Sequence, residues 1–185
     1  MEIKGSAVKV TYDYVKNYFP DRLNEWIQSL PNESKTIFQK PIYATEWFPL
    51  SESVIIPTRQ VGVMFFNSNE IEAGLAIGRY SAEMALKGIY KIFVRISTPQ
   101  FVLSRATSVF STYYNHAEIT IIETSSNKAI LDFNQFERKD ELIMHRVSGW
   151  IEKTLDITLK KSIKMNLVSR YEGDILGFTI TAQWE

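Results

Sequence analysis

The chain has no cysteine and only two histidines, His116 and His145. The first absence excludes disulfides, thiolate zinc sites and iron–sulfur clusters, and it fits a cytoplasmic setting without requiring one. The second leaves little for a metal centre, and neither histidine stands in a His-Glu-x-x-His or comparable ligand spacing. An excess of charge is lacking too: 21 basic residues balance 21 acidic ones, so no global field draws the chain to nucleic acid or anionic lipid. No apolar run is long enough to span a bilayer, and Met1 to Gly5 lack the apolar core of a signal peptide. Phosphate loops, dinucleotide fingerprints and Gly-x-Ser-x-Gly elbows do not occur. The expectation is a cytoplasmic non-enzyme with no catalytic residues, no metal and no cofactor.

What is present suits a globular domain. Hydrophobic residues make up 45% and aromatics 13% of 185 residues, enough for one domain covering residues 1–185 with a sizeable core. Val8, Tyr12, Val15 and Phe19 follow helical steps until Pro20, and Asp21 can cap a second helix carrying Leu23, Trp26, Ile27 and Leu30. Residues 33–40 are ambiguous. Pro41 to Leu50 is aromatic and proline-bounded, which predicts an ordered connector whose rings pack on the core. Ser51 caps a helix through Val54, Ile55, Thr58, Val61 and Phe65, with a kink or late start at Pro57. Ile71 to Leu86 spells a helix with Gly78, Ala82 and Ala85 interleaved. Residues 89–96 read as helix, although their β-branched and aromatic content also suits a strand. Thr98-Pro99 then opens a helix through Phe101, Val102, Arg105, Val109 and Phe110.

Beyond an aromatic corner at Tyr113-Tyr114-Asn115-His116 the period changes from helix to strand. Ala117, Ile119, Ile121 and Ala129, Leu131, Phe133 alternate about Ser125-Ser126-Asn127, a hairpin with one buried face. Asp140 opens a helix whose stripe of Leu142, Ile143, Val147, Trp150, Ile151 and Leu155 is expected to lie across that face. A second hairpin turns at Glu172-Gly173-Asp174. The predicted class is α+β: an N-terminal helical half, then β-hairpin, helix, β-hairpin, forming an antiparallel sheet of about four strands packed on helices.

Polar candidates are sparse. Arg79 and Glu83, four apart, can pair on a helix face or hold a ligand carboxylate, and solvated pairing is the ordinary reading. Arg95 and Arg105 are possible anion ligands among many surface arginines. Lys160, Lys161 and Lys164 read as a solvated face. For both histidines, packing or surface roles are favoured over chemistry.

In its order of elements the chain resembles the superfamily of haem nitric-oxide/oxygen binding (H-NOX) domains, vinyl-reductase-like ligand-binding domains and the Bet-type subunits of TRAPP tethering complexes. The likeness rests on Lys4-Gly5-Ser6-Ala7-Val8 entering the first helix, on Trp47-Phe48-Pro49-Leu50, and on the hairpin, helix, hairpin finish with its terminal Gln183-Trp184. Within that group it most resembles an uncharacterised bacterial family, abundant in myxobacteria, that shares the Trp-aromatic-Pro connector and a closing strand ending in Trp. The resemblance implies a cavity between helices and sheet. In H-NOX domains a histidine on the helix before the first hairpin binds haem iron and a Tyr-x-Ser-x-Arg motif holds the propionates. Here that helix reads Ala106-Thr107-Ser108-Val109 at the matching turn, and no Tyr-x-Ser-x-Arg follows the hairpin.

Two functions follow as expectations. The first is a non-enzymatic small-molecule-binding or sensory domain without haem ligation, enclosing a small apolar ligand among Trp47, Phe48, Phe101, Phe110, Tyr113 and Trp150. The alternative is a structural or protein-interaction module with a self-filled core, binding a signalling partner or a second copy as a homodimer.

Overall fold

Ile3, flanked by Glu2 and Lys4, is buried on both sides of a junction: its strand β1 (Glu2–Lys4) pairs antiparallel with β2 (Trp47–Pro49), and Ile3 also bridges to Tyr114. This computed structural model describes residues 1–87, 98, 101, 108 and 110–185. The small β1–β2 sheet was not legible as strands in the sequence, because three-residue pieces carry too little alternation to show. Gly5 follows directly and opens α1 (Gly5–Tyr18). A side chain there would collide with the Tyr43 carbonyl and lie 2.9 Å from the Phe48 ring, so the connector crosses the start of α1 only because residue 5 is glycine.

The helical half continues with a 3-10 turn (Pro20–Arg22), α2 (Leu23–Ser29) and α3 (Asn32–Phe38). The ambiguous stretch is thus helix up to Phe38, and Asp21 lies within the turn rather than capping. Trp26 of α2 is fully buried and meets Phe38 edge-on at 5.0 Å. Ser51–Ile55 is a π-helical turn leading into α4 (Ile56–Phe65), which places Pro57 in the first turn, where its missing N–H leaves no bond unmade. The Ser51 hydroxyl does not cap this helix; it donates instead to the carboxylate of Asp140. α5 (Glu70–Leu86) starts at Asn69, whose side chain accepts from the Glu72 N–H.

Residues 89–96 lie outside the described residues, as does most of the helix expected from Pro99; residues 110–113 are helical and lead to the Tyr114 corner. The sheet then forms from β3 (Glu118–Thr124), β4 (Lys128–Glu137), β5 (Ile163–Glu172) and β6 (Ile175–Trp184), antiparallel throughout in the order β3-β4-β6-β5. Its covered face carries Ala129, Leu131 and Phe133 of β4 beside Phe178, Ile180 and Ala182 of β6. Strict alternation would next turn residue 135 inward. Instead the β4–β6 register shifts between Phe133 and Phe136, and Gln135 takes φ +70, so that Phe136 is the buried residue.

Between the hairpins runs α6 (Ile143–Leu159). Its chief neighbour is α5, and it also touches β5 and β6. The cause is a small-residue seam. A Cβ at Gly78 would overlap the Arg146 carbonyl, one at Gly149 would overlap that of Leu75, and one at Gly74 would lie 3.2 Å from His145 Cβ. Backbone meets backbone here, a proximity only glycine permits on both helices. Arg79 then ties the pair at its edge, through Glu72 on its own helix (3.1 Å) and Glu152 on α6 (2.9 Å). The Arg79–Glu83 pair expected from spacing does not form, since Glu83 bonds Lys87.

Candidate functional site

Three helices place a polar residue where the amphipathic pattern calls for an apolar one. Thr11 lies on the buried face of α1 between Val8 and Val15, Thr58 on that of α4 with Val61, and Arg146 on that of α6 with Ile143 and Val147. All three converge. Arg146 Nη1 donates to Thr11 Oγ1 at 2.7 Å and to Thr58 Oγ1 at 2.6 Å. Thr58 Oγ1 in turn donates to the Val54 carbonyl at 2.6 Å, so its lone pairs are turned to the guanidinium. Arg146 is 7% exposed.

A buried cation is ordinarily paired with an acid. None is present. Every aspartate and glutamate of the chain is among the described residues, since residues 88–109 contain neither type. None of them bonds Arg146, whose hydrogen bonds among the described residues are the two from Nη1. Burial lowers its pKa to about 10, which still leaves it charged at neutral pH. The ionisable group that acts on it is the Tyr114 phenol, which burial pushes up to about 12, so it stays neutral.

Tyr114 joins this cluster to the sheet. Its ring stacks on Phe110 at 4.4 Å and meets Phe136 edge-on at 5.7 Å, while Phe110 also meets Phe133 at 5.3 Å and Phe133 stacks on Phe178 at 4.7 Å. A continuous ring assembly therefore runs from the corner to the centre of the sheet. Of the six rings read from sequence, Phe110 belongs to it. Tyr113, beside it, is half-buried, and so is Trp150 on α6; Phe48 is half-buried beneath Gly5. Trp47 and Phe101 are 39% and 46% exposed, and Lys4 Nζ sits 3.9 Å over the Trp47 ring. The connector thus turns Trp47 and Tyr43 outward rather than packing all its rings on the core.

His116 is exposed just past the corner, and His145 is half-buried on the side of α6 that faces Gly74, where burial lowers its pKa. Among the described residues no group of three or more potential metal ligands gathers, and no helix is long and apolar enough to cross a membrane. Lys160 and Lys161 are exposed at the end of α6 and border an open groove of about 650 Å³ with Lys87, Lys153, Glu83 and Asp156; Lys164 is exposed on β5. Arg95 and Arg105 lie outside the described residues.

Sequence reading missed Arg146, Thr11 and Thr58. The signal was available: an arginine three residues after Ile143 and four before Trp150 sits inside the apolar stripe of its helix, and two threonines do the same on theirs.

The sequence matches no protein-family model, and no curated protein matches it. Its fold does find relatives among solved structures. An Fe(II) unliganded H-NOX protein from K. algicida is similar at TM-score 0.73 and 13% identity, covering 99% of this chain and 97% of that one. A variant of the T. tengcongensis H-NOX is similar at TM-score 0.66 and 12% identity, over 99% and 98% of the two chains. A structure from work on haem redox potential and porphyrin distortion is similar at 0.73 and 14%, over 99% and 95%. From β1 to β6, the chain has an H-NOX-like fold.

Proposed function

We propose that this chain is a non-enzymatic small-molecule-binding or sensory domain, with its ligand held between the helical half and the sheet and without a haem–histidine bond. The observation that carries the reading is the whole-length likeness to H-NOX structures, one of them an Fe(II) unliganded form. The residues of this chain do not fit a histidine-ligated haem. Neither histidine lies on the helix before the first hairpin, His116 is exposed, and His145 packs toward α5. Phe110, Tyr113 and Trp150 are proposed as the inner part of the pocket lining, with Trp47, Phe48 and Phe101 nearer its edge.

Native mass spectrometry of the purified protein, followed by thermal melts with haem and a panel of small apolar compounds, tests this. A co-purifying mass or a saturable rise in melting temperature is the expected result. No bound mass and no shift across the panel overturn it. A strong haem absorbance band after haem addition, lost on changing either histidine, overturns the part about ligation.

A second reading, an interaction module with a self-filled core, draws support from the ring assembly of Phe110, Tyr114, Phe133, Phe136 and Phe178, which occupies the helix–sheet junction with the chain's own side chains. A folded protein with no ligand response and a concentration-dependent dimer in sedimentation favours it over the first.

A further inference from the structure

We infer that Arg146 is the anchor for a small organic carboxylate with an apolar body, bound at the helix–sheet junction where α1, α4 and α6 meet the Tyr114 corner; this rests on the ligand-binding reading above. Three observations carry it. The guanidinium is buried, and no acidic residue of the chain neutralises it. Among the described residues its orientation is fixed from one end: the Thr11 and Thr58 hydroxyls both bind Nη1. No described residue accepts from Nε or Nη2, and these two nitrogens form the side-on edge that grips a carboxylate through two parallel hydrogen bonds. A lone buried cation is costly, and an anion from solution removes that cost.

The neighbouring surfaces set the rest of the ligand. On α1 Val8 and Val15 lie a turn either side of Thr11, and Thr58 is flanked by Val61 on α4 and by Val54 and Ile55 in the turn before it. All are buried and apolar. Such surroundings offer no partner to a second charge, which makes a monocarboxylate with an apolar body the matching class rather than inorganic phosphate or a dicarboxylate.

The test uses the full chain with linear monocarboxylates of four to twelve carbons, the matching alcohols, and inorganic phosphate, read by calorimetry and thermal melts. Expected is one-to-one binding of at least one carboxylate, with its alcohol and phosphate weaker by at least about 30-fold, and a comparable loss in Arg146→Met. Arg146→Lys keeps the charge but not the two-nitrogen edge; it is expected to lose most of the affinity, and it serves if Arg146→Met does not fold. Equal binding of alcohol and acid, or carboxylate binding retained in these variants, overturns the anchor while leaving a binding domain. Binding of phosphate alone, or of no carboxylate in the series, also overturns it, and the co-purified mass then decides the broader reading independently.

Discussion

At the scale of single residues, Arg146 and Asp140 are two buried charges handled in opposite ways. Arg146 keeps its proton and is supported by hydroxyls. A hydrogen bond to a charged group contributes about 1.5–3 kcal/mol, so Thr58→Val should lower unfolding free energy by that amount in urea melts of the ligand-free protein. In an Arg146→Met background the same change should cost close to nothing, and this double-mutant comparison isolates the pair. Asp140 is 1% exposed, accepts from Ser51, and leaves its second carboxylate oxygen without a hydrogen-bond partner among the described residues. Burial raises its pKa, so the folded state favours the protonated acid. That contribution is fully present below the unfolded-state value and is lost as pH rises through the folded one. Asp140→Asn should therefore melt higher than the parent at neutral pH and match it near about pH 3, where the parent carboxyl is protonated as well.

At the scale of elements, the α5–α6 seam is the least forgiving contact. Gly78→Ala puts a methyl group into the Arg146 carbonyl, and separating two helices that touch through backbone should cost at least about 1–3 kcal/mol in chemical denaturation. Sequence reading noticed the small residues of α5, which let another element approach closely, but not which element, because periodicity reports which face is buried and never against which partner. The same limit explains α6, whose stripe was legible and whose neighbour was not. The long strands of both hairpins were readable from alternation, and their turns from Ser125 to Asn127 and from Glu172 to Asp174 fell where expected. The β4 bulge was not readable, since it depends on Gln135 adopting a left-handed conformation that its side chain does not advertise. The candidate site was the least legible part: Thr11, Thr58 and Arg146 are far apart in sequence, and only the fold makes them neighbours.

At the scale of the whole molecule, the layers are joined by rings. Phe133 lies flat on Phe178 across the β4–β6 seam and also meets Phe110 from the helical side. Phe133→Ala should cost about 3–5 kcal/mol of unfolding free energy, with helices and sheet lost in one transition when followed by circular dichroism and by tryptophan fluorescence. The seam has a further consequence in time. Because β4 pairs with β6 and not with β5, the first hairpin waits until Ile175–Trp184 is made before its inner strand finds both neighbours. At synthesis rates of about 5–20 residues per second that wait is roughly 2–10 s. Throughout it the backbone edge of β4 that β6 will pair stays open, so the nascent chain passes through an interval in which a chaperone, or a neighbouring copy, competes with β6 for that edge.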